Sequence, residues 1–423
     1  MKLKPYPKYK DSGIQWIGKI PEGWEVRRIK TIFYEINKQS TTGAEELLSV
    51  SDIYGIKKRS EIIGPDDHLT HAETLIGYKK CKKGDLVINI MLAWKGAIGV
   101  SAYDGIVSPA YCVYRIKNHN PKYFHYLFRV NLVTNQFKRY SSGIIDSRLR
   151  LYPEEFFRIE TIVPPLPDQT AITHFLDKKN AKIDSLIEKD KKLIALLKEK
   201  RTTLINHIVT KGLDPNVKLK DSGIAWIGEI PKGWEVHRLK FKETVTMGQS
   251  PDSESYNYEY RGYPFLQGNA EFSDVHPNPS IWCDVANKYA LKNDILLSVR
   301  APIGAINIAD QKYGIGRGLC AIRIKINNLK YIFYQLIACV NYLNSIGTGS
   351  TYTAISTEDV MNLPMRYPPL PEQTAIANFL DNQTSKIDKT IQKIEEKIKL
   401  LEEYKKSLIH YVVTGKVDVR GVE

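Results

Sequence analysis

The sequence predicts an α/β (α+β) protein in which two globular domains are separated by two long helices and are related by a pseudo-twofold internal duplication. Three observations predict this fold. Two sequence blocks occur twice in the same order. Apolar residues follow the second block in each copy at the spacing of a coiled coil. The rest of each copy consists of short Val-, Ile- and Tyr-rich segments separated by Gly, Pro and Asn, which is typical of strands and turns.

Length and composition limit the class of protein. The chain has 423 residues, with 61 Lys and Arg against 47 Asp and Glu, so its formal net charge is +14. This length predicts two or three domains. A hydrophobic content of 43% with 26% charged residues excludes a disordered or collagen-like chain. The positive charge favours a polyanion as partner, although many basic proteins bind none.

The chain shows no sign of membrane insertion or secretion. No run of about 18 apolar residues is present, and the start, MKLKPYPKYKDSG, lacks the apolar segment of a secretory signal. The five cysteines are scattered without a CxxC spacing. We therefore expect a cytoplasmic protein with reduced thiols, and neither a disulfide framework nor a zinc ribbon.

The duplication is carried by two blocks. Residues 11–30 read DSGIQWIGKIPEGWEVRRIK and residues 221–240 read DSGIAWIGEIPKGWEVHRLK, with fifteen of twenty positions identical at an offset of 210. The second pair is PPLPDQTAITHFLD at 164–177 and PPLPEQTAIANFLD at 368–381, at an offset of 204. The connector at 210–228 matches the C-terminal segment at its start and the N-terminal segment at its end. The chain thus reads as a two-unit ring cut inside one connector, and we expect its ends to lie together.

A helix of about 30–40 residues is predicted after each PPLP block, where an acidic residue and Gln follow the proline in the first turn. Apolar residues then alternate at spacings of four and three, as in the a/d seam of a coiled coil. Both seams have a charged residue in place of an apolar one at the same position, Arg201 in the first copy and Lys405 in the second. The first seam has one more such residue, Asp190, at the position that Ile394 occupies in the second copy. An alternative is that each helix packs on its own globular domain. The predicted seam consists of Ile183, Ile187, Ile194, Leu197, Leu204, Ile208, Ile387, Ile391, Ile394, Ile398, Leu401, Leu408 and Val412.

The two globular regions, roughly 25–160 and 235–365, are only faintly alike. Each has a β-type run (84–100 and 293–309), a strand that ends in Arg-Ile-Lys (115–117 and 323–325) and a Ser/Gly-rich loop (141–156 and 347–360). Cys112 and Cys320 fall in the same strand of each copy and are expected in the core. Constant scaffolding around divergent halves is expected if the halves recognise different targets. With the basic charge, this suggests two DNA half-sites separated by a spacer near one helical turn, about 34 Å.

Motifs for catalysis are missing from the sequence. It has no GxxxxGK[ST] phosphate loop, no [DNS]PP[YFW] methyltransferase tetrapeptide and no Gly-rich cofactor loop. Asp66, Asp67, His68 and His71 resemble a metal site, but one HxxH in a loop is more typical of solvated surface. We expect no catalytic residue, no bound metal and no cofactor.

Taken together, these motifs resemble the specificity (S) subunit of a type I restriction–modification system, the HsdS family, over essentially the whole chain. The resemblance rests on the PPLPxQxxIxxFLD helix openings, the duplicated DSGIxWIGxIPxGWEV block and the GQSP…YPFLQGNA stretch at 248–270. The first half departs from the pattern in lacking a clear counterpart of the GQSP stretch.

The resemblance implies a fold and a set of partners. Two target-recognition domains are held apart on an antiparallel coiled coil, and each reads one half-site of a bipartite double-stranded DNA target. The subunit has no enzymatic activity and docks two modification (M) subunits, which bind S-adenosylmethionine and methylate adenine N6. Restriction (R) subunits join for ATP-driven cleavage, so S-adenosylmethionine, ATP and Mg belong to the partners.

The expected domain organisation follows from the blocks. It comprises an N-terminal connector (1–24), target-recognition domain 1 (25–163), a central helix (164–210), a second connector (211–234), target-recognition domain 2 (235–367), a C-terminal helix (368–414) and a tail (415–423). Trp16, Trp24, Trp226 and Trp234 are expected to anchor the connectors against the helices. The charged outer faces of the helices and the connectors are expected to dock the M subunits, with a solvated face as the alternative.

Base readout requires Arg, Lys, Asn or Gln in the grooves, and backbone contacts require Lys, Arg and loop hydroxyls. The Ser/Gly-rich loops are the best candidates, because small residues let backbone approach phosphate closely. Each candidate has a solvated surface residue as its alternative. The candidates in the first domain are Lys57, Lys58, Arg59, Lys95, Arg139, Tyr140, Ser141, Arg148 and Arg150, and those in the second are Gln249, Ser250, Tyr256, Tyr258, Arg261, Asn269, Arg300, Arg317, Ser350 and Tyr352.

Two other functions remain open at this point. A single-chain methyltransferase or nuclease with two DNA-reading domains is disfavoured by the missing motifs, and methyl transfer by the chain alone would establish it. A pure coiled-coil scaffold is disfavoured by the divergent basic domains. Salt-dependent binding to duplex DNA would exclude that scaffold.

Overall fold

The structure is a computed structural model that describes residues 4–62, 74–347 and 353–422. The chain forms two compact units: unit 1 comprises Met1–Asp190 with Glu396–Glu423, and unit 2 comprises Lys191–Glu395. Each unit therefore contains one half of each long helix. Within the described residues, no helix combines the length and the apolar character needed to cross a membrane.

Unit 1 is built from short strands and a few helices. Its strands are β1 (Tyr9–Asp11), β2 (Lys19–Pro21), β3 (Glu25–Arg28), β4 (Phe33–Glu35), β5 (Leu48–Ser51), β6 (Gly55–Lys58), β7 (Lys79–Cys81), β8 (Leu86–Asn89), β9 (Ile98–Val100), β10 (Gly105–Val107), β11 (Tyr111–Ile116) and β12 (Glu160–Val163). Its helices are α1 (Pro121–Leu127), α2 (Asn131–Arg139), α3 (Pro153–Arg158) and the first part of the long helix α4 (Leu166–Lys211). Short 3-10 turns lie at Ile29–Thr31, Arg59–Glu61, Ala93–Lys95 and Asp146–Arg148.

An antiparallel sheet of order β4-β11-β8-β9 forms the centre of unit 1. The predicted β-type run at 84–100 forms two of its strands, β8 and β9, rather than one. All four residues of β8 are buried, and Cys112 of β11 pairs with Ile88 and is 5% exposed. Helices α1 to α3 cover one face of this sheet with aromatic side chains, among them Phe124, Phe128 and Phe156, in a single hydrophobic cluster.

Unit 2 repeats this plan and adds to it. Its strands are β13 (Leu219–Asp221), β14 (Glu229–Pro231), β15 (Glu235–Arg238), β16 (Thr244–Met247), β17 (Tyr256–Asn257), β18 (Tyr263–Leu266), β19 (Ile281–Cys283), β20 (Tyr289–Ala290), β21 (Ile295–Ser298), β22 (Ile306–Ile308), β23 (Tyr313–Ile315), β24 (Leu319–Arg323) and β25 (Pro364–Tyr367). Its helices are α5 (Leu239–Lys242), α6 (Leu329–Ala338), α7 (Val340–Ile346), α8 (Thr357–Met361) and the first part of α9 (Leu370–Val413), with a 3-10 turn at Ser253–Ser255.

The shared and the added parts of unit 2 are distinct. The sheet β16-β24-β21-β22 matches the order of the unit 1 sheet, and the fully buried Cys320 lies in β24 as Cys112 lies in β11. The pair β15–β25 matches the pair β3–β12. The antiparallel pair β20–β23 matches the pair β7–β10 of unit 1, and in unit 2 it belongs to a larger, five-stranded sheet of order β17-β19-β18-β23-β20.

The repeated PPLPxQ block is explained by a hydrogen-bonded joint at the start of each long helix. In unit 1, the buried Gln169 accepts from Asn120 N at 2.8 Å and donates to Pro164 O at 2.8 Å. In unit 2, Gln373 accepts from Asn328 N at 2.9 Å and donates to Pro368 O at 2.9 Å. Burying an amide requires that its hydrogen bonds be made, so this position needs Gln in both copies.

The same joint explains the FLD ending of the block. Asp177 accepts from Lys122 and from the Tyr126 hydroxyl, both at 2.7 Å. In unit 2, Asp381 accepts from Lys330 and, at 2.8 Å, from the Tyr334 hydroxyl. Each long helix is thereby held against the helix, α1 or α6, that packs on the central sheet.

Helices α4 and α9 have 46 and 44 residues, longer than the predicted 30–40, because each begins directly after its proline pair and continues without a break to Lys211 or Val413. In unit 1 they run antiparallel: Asp184 pairs with Lys405 at 2.6 Å, and Asp190, six residues further along α4, pairs with Lys397, eight residues back along α9. In unit 2, Arg201 pairs with Asp388 at 3.0 Å.

The seam breaks at Arg201 and Lys405 are thus ion-pair positions that face the other helix of the coiled coil. Of the thirteen predicted seam residues, those near the globular parts are buried and those towards the middle of the helices are half-buried. The buried ones are Ile183, Ile187, Ile208, Ile387, Ile391, Leu408 and Val412, and the half-buried ones are Ile194, Leu197, Leu204, Ile394, Ile398 and Leu401.

The helix ends also pack on the globular parts, as the alternative reading expected. In unit 1, Ile172, Phe175 and Leu176 of α4 join Val413 of α9 in the main hydrophobic cluster. A two-stranded seam alone would leave these positions partly exposed. The helices therefore form a coiled coil whose ends are incorporated into the domain cores.

The connectors close each unit. In unit 1, the backbones of Lys4 and Asp418 form an antiparallel β-bridge, and the Tyr9 hydroxyl donates to Gly415 O at 3.0 Å. The two chain ends therefore lie together, as predicted. Trp24 is 1% exposed and its indole donates to Asp168 of α4 at 3.0 Å. In unit 2, Gly212 ends α4 with φ +78°, a left-handed conformation that favours glycine.

Candidate nucleic-acid interface

The hairpin β5–β6 carries the first basic cluster of unit 1. Lys57 is exposed, and its ammonium lies 5.4 Å from the centroid of the Tyr54 ring. Lys58 pairs with Glu46 at 3.3 Å. Arg59 follows β6 directly and begins a 3-10 turn. Among the described residues Lys57 has no ion-pair partner, so its charge is available to an anion.

A second basic cluster gathers around Trp94. The ammonium groups of Lys95 and Lys138 lie 5.1 and 4.8 Å from the centroid of its ring. Lys138 belongs to the end of α2 and also pairs with Asp146 at 2.8 Å, while its neighbour Arg139 is exposed. The indole therefore joins the 3-10 turn at Ala93–Lys95 to the end of α2. The sequence analysis identified Lys95 and Arg139 but missed Lys138.

The Ser/Gly-rich loop that follows α2 has fixed ends and an exposed middle. Ser141 Oγ donates to Phe137 O at 2.6 Å. The backbones of Ser142 and Arg150 form an antiparallel β-bridge, and Nη1 of Arg150 donates to Leu149 O. Tyr140 packs on the main cluster. Ser141, Tyr140 and Arg150 therefore hold the loop in place. Arg148 and Ile144 are exposed between these ends, Ile144 at 97%.

Arg129 of unit 1 links the first two clusters and was not recognised from the sequence. Its Nη1 donates to Ser51 O, Gly96 O and Ile98 O at 3.2, 2.9 and 2.9 Å. Its Nη2 donates to Asp52 O and Ile53 O at 2.7 and 3.0 Å. One guanidinium thus ties the turn of the β5–β6 hairpin to the segment after Trp94. Burial lowers the pKa of Arg129, with Asp52 acting in the opposite direction.

In unit 2, the predicted residues Gln249, Ser250 and Arg317 come together. Gln249 N donates to Ile315 O at 2.9 Å, and Ser250 Oγ accepts from Arg317 N at 3.3 Å. A Cβ on Gly248 would collide with the carbonyl of Gly316, so this approach requires glycine. Gln249 and Arg317 are exposed, which places an amide and a guanidinium on the same surface.

Two other predicted residues lie beside this surface. Val299 N donates to Gly318 O at 2.9 Å, which brings the exposed Arg300 next to the segment of Arg317. Gly318 N donates to Gln267 O at 3.2 Å, and the half-buried Asn269 follows two residues later. Four segments therefore converge at this edge of unit 2.

The predicted tyrosines occupy the start of the five-stranded sheet. Tyr256 is half-buried with its ring 5.1 Å from that of Phe265, so it is part of the packing. Tyr258 is 75% exposed. Arg261 pairs with Glu259 at 3.4 Å, and both side chains are largely exposed. Ser350 and Tyr352, like the Asp66–His71 cluster, lie outside the described residues.

Two residues of the GQSP stretch, Gln and Ser, recur in the first half, although Lys38 and Thr41 stand in place of its Gly and Pro. Gln39 and Ser40 precede Gln249 and Ser250 by the offset of 210, and they follow β4, which pairs with β11 as β16 pairs with β24. Gln39 is exposed, as Gln249 is. The Ser40 hydroxyl differs in its partner, since it donates to Glu45 at 2.5 Å. The constant offset was a sufficient signal to find this pair.

Known proteins resemble this chain over most of its length. A family model described as "Type I restriction modification DNA specificity domain" matches residues 21–196 and 231–400. The putative type I restriction enzyme MjaX specificity subunit of Methanocaldococcus jannaschii is 31% identical over 429 residues, covering 96% of both chains. The MjaVIII specificity subunit of the same organism is 25% identical over 434 residues, covering 96% of this chain and 95% of the relative.

This chain belongs to the type I restriction–modification DNA specificity family. Two solved structures share its fold. A chain from a study of complex assembly and conformational transition of the type I R-M system has a TM-score of 0.76 at 23% identity, covering 94% of this chain and 99% of that one. The HsdS subunit of Thermoanaerobacter tengcongensis has a TM-score of 0.58 at 23% identity, covering 94% and 98%.

The specificity subunit is a DNA-recognition subunit and, like its relatives, not a catalyst. The chemistry of its thiols fits that role. All five cysteines are buried and unpaired, and burial raises the pKa of Cys81 and of Cys320 to about 12. Thiols of this kind are not nucleophiles at neutral pH. In the described part of the chain, no cluster of His, Cys, Asp and Glu has the arrangement of a metal site.

Two partly exposed arginines of the specificity subunit form bidentate pairs with buried carboxylates. Arg115 donates to both oxygens of the buried Asp85 at 2.8 Å, and Arg323 donates to both oxygens of the buried Asp294 at 2.9 and 2.8 Å. These bidentate pairs raise the pKa of each guanidinium. They occupy the same place in each copy and link the strands of the central sheet, which explains the Arg of each Arg-Ile-Lys triplet.

One further cation of the specificity subunit was missed. The ammonium of Lys312 lies 4.2 and 4.1 Å from the ring centroids of Tyr263 and Tyr289. A lysine between two aromatic rings is held in position by its attraction to both π-faces. No local pattern signals this arrangement, because the three residues come from β18, β20 and the turn before β23.

Proposed function

We propose that this specificity subunit reads a bipartite DNA target, one half-site with residues 25–163 and the other with residues 235–367. The observation that carries this proposal is the contrast within the duplication. The central sheet, the joint at Gln169 or Gln373 and the bidentate Arg–Asp pairs are the same in both copies, whereas the exposed basic segments differ. A shared scaffold with different exposed groups suits two readers of different sequences.

The residue types assign different tasks to the exposed groups. Lys57 and Lys95 suit phosphate contacts, since an ammonium is a point charge without geometric selectivity. Gln249 and Arg317 suit base edges, because an amide matches adenine and a guanidinium matches guanine in the major groove. Gln39 provides the corresponding amide in the first domain.

The partners follow from family membership. We propose that two modification subunits dock on the coiled coil and connectors, bind S-adenosylmethionine and methylate adenine N6, and that restriction subunits supply the ATP- and Mg-dependent cleavage. The exposed charges on the outer faces of α4 and α9, such as Lys198 and Lys399, support a docking role. The unpaired cysteines and the proposed DNA target support a cytoplasmic location for this assembly.

Methylome sequencing tests the proposal. The chain is co-expressed with its modification subunits in a host without other methyltransferases, and modified adenines are mapped. We expect one motif with two specified parts and an unspecified spacer. Exchange of residues 25–160 for those of a homologous subunit should change one part only. A continuous motif, a change in both parts, or methyl transfer to DNA by the purified chain alone would contradict the proposal.

A second experiment tests whether the helices set the spacer. Deleting residues 191–197 and 391–397 removes one heptad from each helix. The two segments face each other in the antiparallel pair, so the apolar seam on both helices keeps its register. Each helix shortens by about 10 Å, the length of about three base pairs. A spacer shorter by two to four base pairs is expected. An unchanged spacer in an active complex would show that the coiled coil does not determine it.

A further inference from the structure

Unit 2 contains a cavity that the DNA-reading function does not use. Its volume is about 400 Å³, and it lies between the end of α4, the connector and helices α6 and α7. Trp226 and Tyr342 form one wall, with their rings stacked at 4.6 Å and an interplanar angle of 15°. Asn206, Asn341 and Arg366 also line it.

Arg366 is the unusual member of this lining. It is 2% exposed, its Nε donates to Gln335 Oε1 at 3.0 Å, and its guanidinium lies 5.7 Å from the centroid of the Trp226 ring. Its Nη2 has no hydrogen-bond partner. Across the described residues, no carboxylate forms an ion pair with it. A buried guanidinium without a counter-charge is unfavourable, so an anionic ligand that supplies the counter-charge would stabilise this site.

The other copy shows that the fold does not need this charge. At the offset of 204, Arg366 corresponds to Ile162, and both occupy the third position of the strand that pairs with β3 or β15. Its partner Gln335 corresponds to Leu127 at the offset of 208 that relates the N-caps Asn120 and Asn328, and each is the seventh residue of its helix. Ile162 and Leu127 are buried in the main hydrophobic cluster of unit 1. An apolar pair in one copy has thus been replaced by a polar pair in the other.

Two more polar atoms of the cavity lining lack partners. The indole nitrogen Nε1 of Trp226 has no acceptor, and Oδ1 of Asn206 has no donor. A ligand that offers acceptors to Arg366 and Trp226 would satisfy both donors at once. Such a ligand is an anion, and the planar fork of a guanidinium matches a carboxylate in geometry. The flat aromatic wall favours a ligand with a small apolar body next to the charge.

We propose that this cavity is a binding site for a carboxylate carried on a small body, with Arg366 as its counter-charge. The carboxylate belongs either to a free organic acid or to an acidic side chain of a bound polypeptide. The site is independent of the DNA-reading surfaces, so its failure would leave the proposed function intact.

The full chain is titrated with the α-amide of N-acetylglutamate, acetate, the α-amide of N-acetylglutamine and inorganic phosphate, at constant ionic strength, while thermal unfolding and tryptophan fluorescence are measured. The two α-amides differ only in the side-chain carboxylate, so we expect saturable binding of the glutamate compound and of acetate, and none of the glutamine compound. Binding of the glutamate α-amide at least tenfold tighter than acetate indicates an acidic residue of a polypeptide, and a smaller difference indicates a free acid. Binding of the glutamine α-amide, preferential binding of phosphate, or binding of neither carboxylate overturns the proposal.

The duplication supplies the matched variants. Arg366→Ile and the double change Gln335→Leu with Arg366→Ile install the residues of the other copy, and both should fold and lose at least tenfold in carboxylate affinity. Trp226→Phe keeps the aromatic wall and removes one donor, and a weaker loss of severalfold is expected. Unchanged carboxylate binding in the folded double variant would show that the cavity is not the site.

Discussion

Replacing Arg129 by isoleucine should release the β5–β6 hairpin of the first recognition domain. Arg129 lies in the turn two residues after the end of α1, and the duplicated domain has the half-buried Ile337 at this position, so the shared fold accommodates isoleucine. The substitution removes the five hydrogen bonds that the guanidinium donates to carbonyl oxygens of the hairpin turn and the segment after Trp94.

The magnitude follows from the burial of these bonds. The three bonds from Nη1 are partly buried and contribute about 1 kcal/mol each, whereas water replaces the two more exposed bonds from Nη2 at little cost. The desolvation of the guanidinium, which lowers the pKa of Arg129, offsets part of this sum. A net loss of about 2 kcal/mol remains, which raises the equilibrium constant for opening the hairpin about 30-fold.

Amide hydrogen exchange measures this opening directly. We expect residues 51–58 to lose about 30-fold in protection while the central sheet keeps its own. In a binding assay with separate substitutions in each half-site, discrimination should weaken in the first half-site only. Arg158→Ile removes only an exposed pair with Glu155 and serves as the control. Unchanged protection of the hairpin, or equal losses in both half-sites, would refute this role of Arg129.

Three other predictions follow from single side chains. Asp190→Ile installs the residue that the second copy has at this position, Ile394, where the side chain is 8% exposed. Burial of the apolar side chain should raise the free energy of unfolding by about 1–2 kcal/mol. A lower denaturant midpoint would contradict this. His125 accepts from Val100 N at 3.1 Å, and burial lowers its pKa to about 4, so it is neutral in the fold. Stability should therefore fall by up to about 3 kcal/mol as the pH decreases from 6.5 to 4, and His125→Asn should remove that part of the dependence in urea titrations. Arg317→Gln should weaken binding of the second half-site by about 1–3 kcal/mol and relax its base preference, because the proposal has Arg317 read a base. A fall of about one in the slope of log affinity against log salt concentration, without loss of base discrimination, would show that Arg317 contacts only phosphate.

Periodicity and repetition were strong enough in this sequence to predict the long helices and the duplication. The seam spacing identifies the apolar face of α4 and α9, because it depends on the helical repeat alone. The predicted helix length of 30–40 residues was too short. Ile172, Phe175 and Val413 are buried by the domain cores, and no spacing rule within the helix distinguishes such positions from exposed ones.

The exposure of the candidate contact residues was predictable where the charge lies in a loop and not where it has an internal partner, and DNA contact by these residues stays a prediction. Gln249 and Arg317 remain exposed on one surface, as their loop positions suggested. Ser141 and Arg150 fix the loop ends instead, since their polar atoms find backbone partners nearby. Arg129 was missed because its five acceptors come from two other segments of the chain.

The residues by themselves determined that this protein is a duplicated scaffold with two unlike basic domains, because repeats and helical periodicity are local properties of a chain. Only the tertiary structure decided which polar groups serve the fold and which remain for a ligand. Arg323 and Arg366 illustrate the difference: a buried carboxylate neutralises the first, whereas the second is buried without one. Whether a charge has a partner depends on segments far apart in sequence, and folding alone brings those segments together.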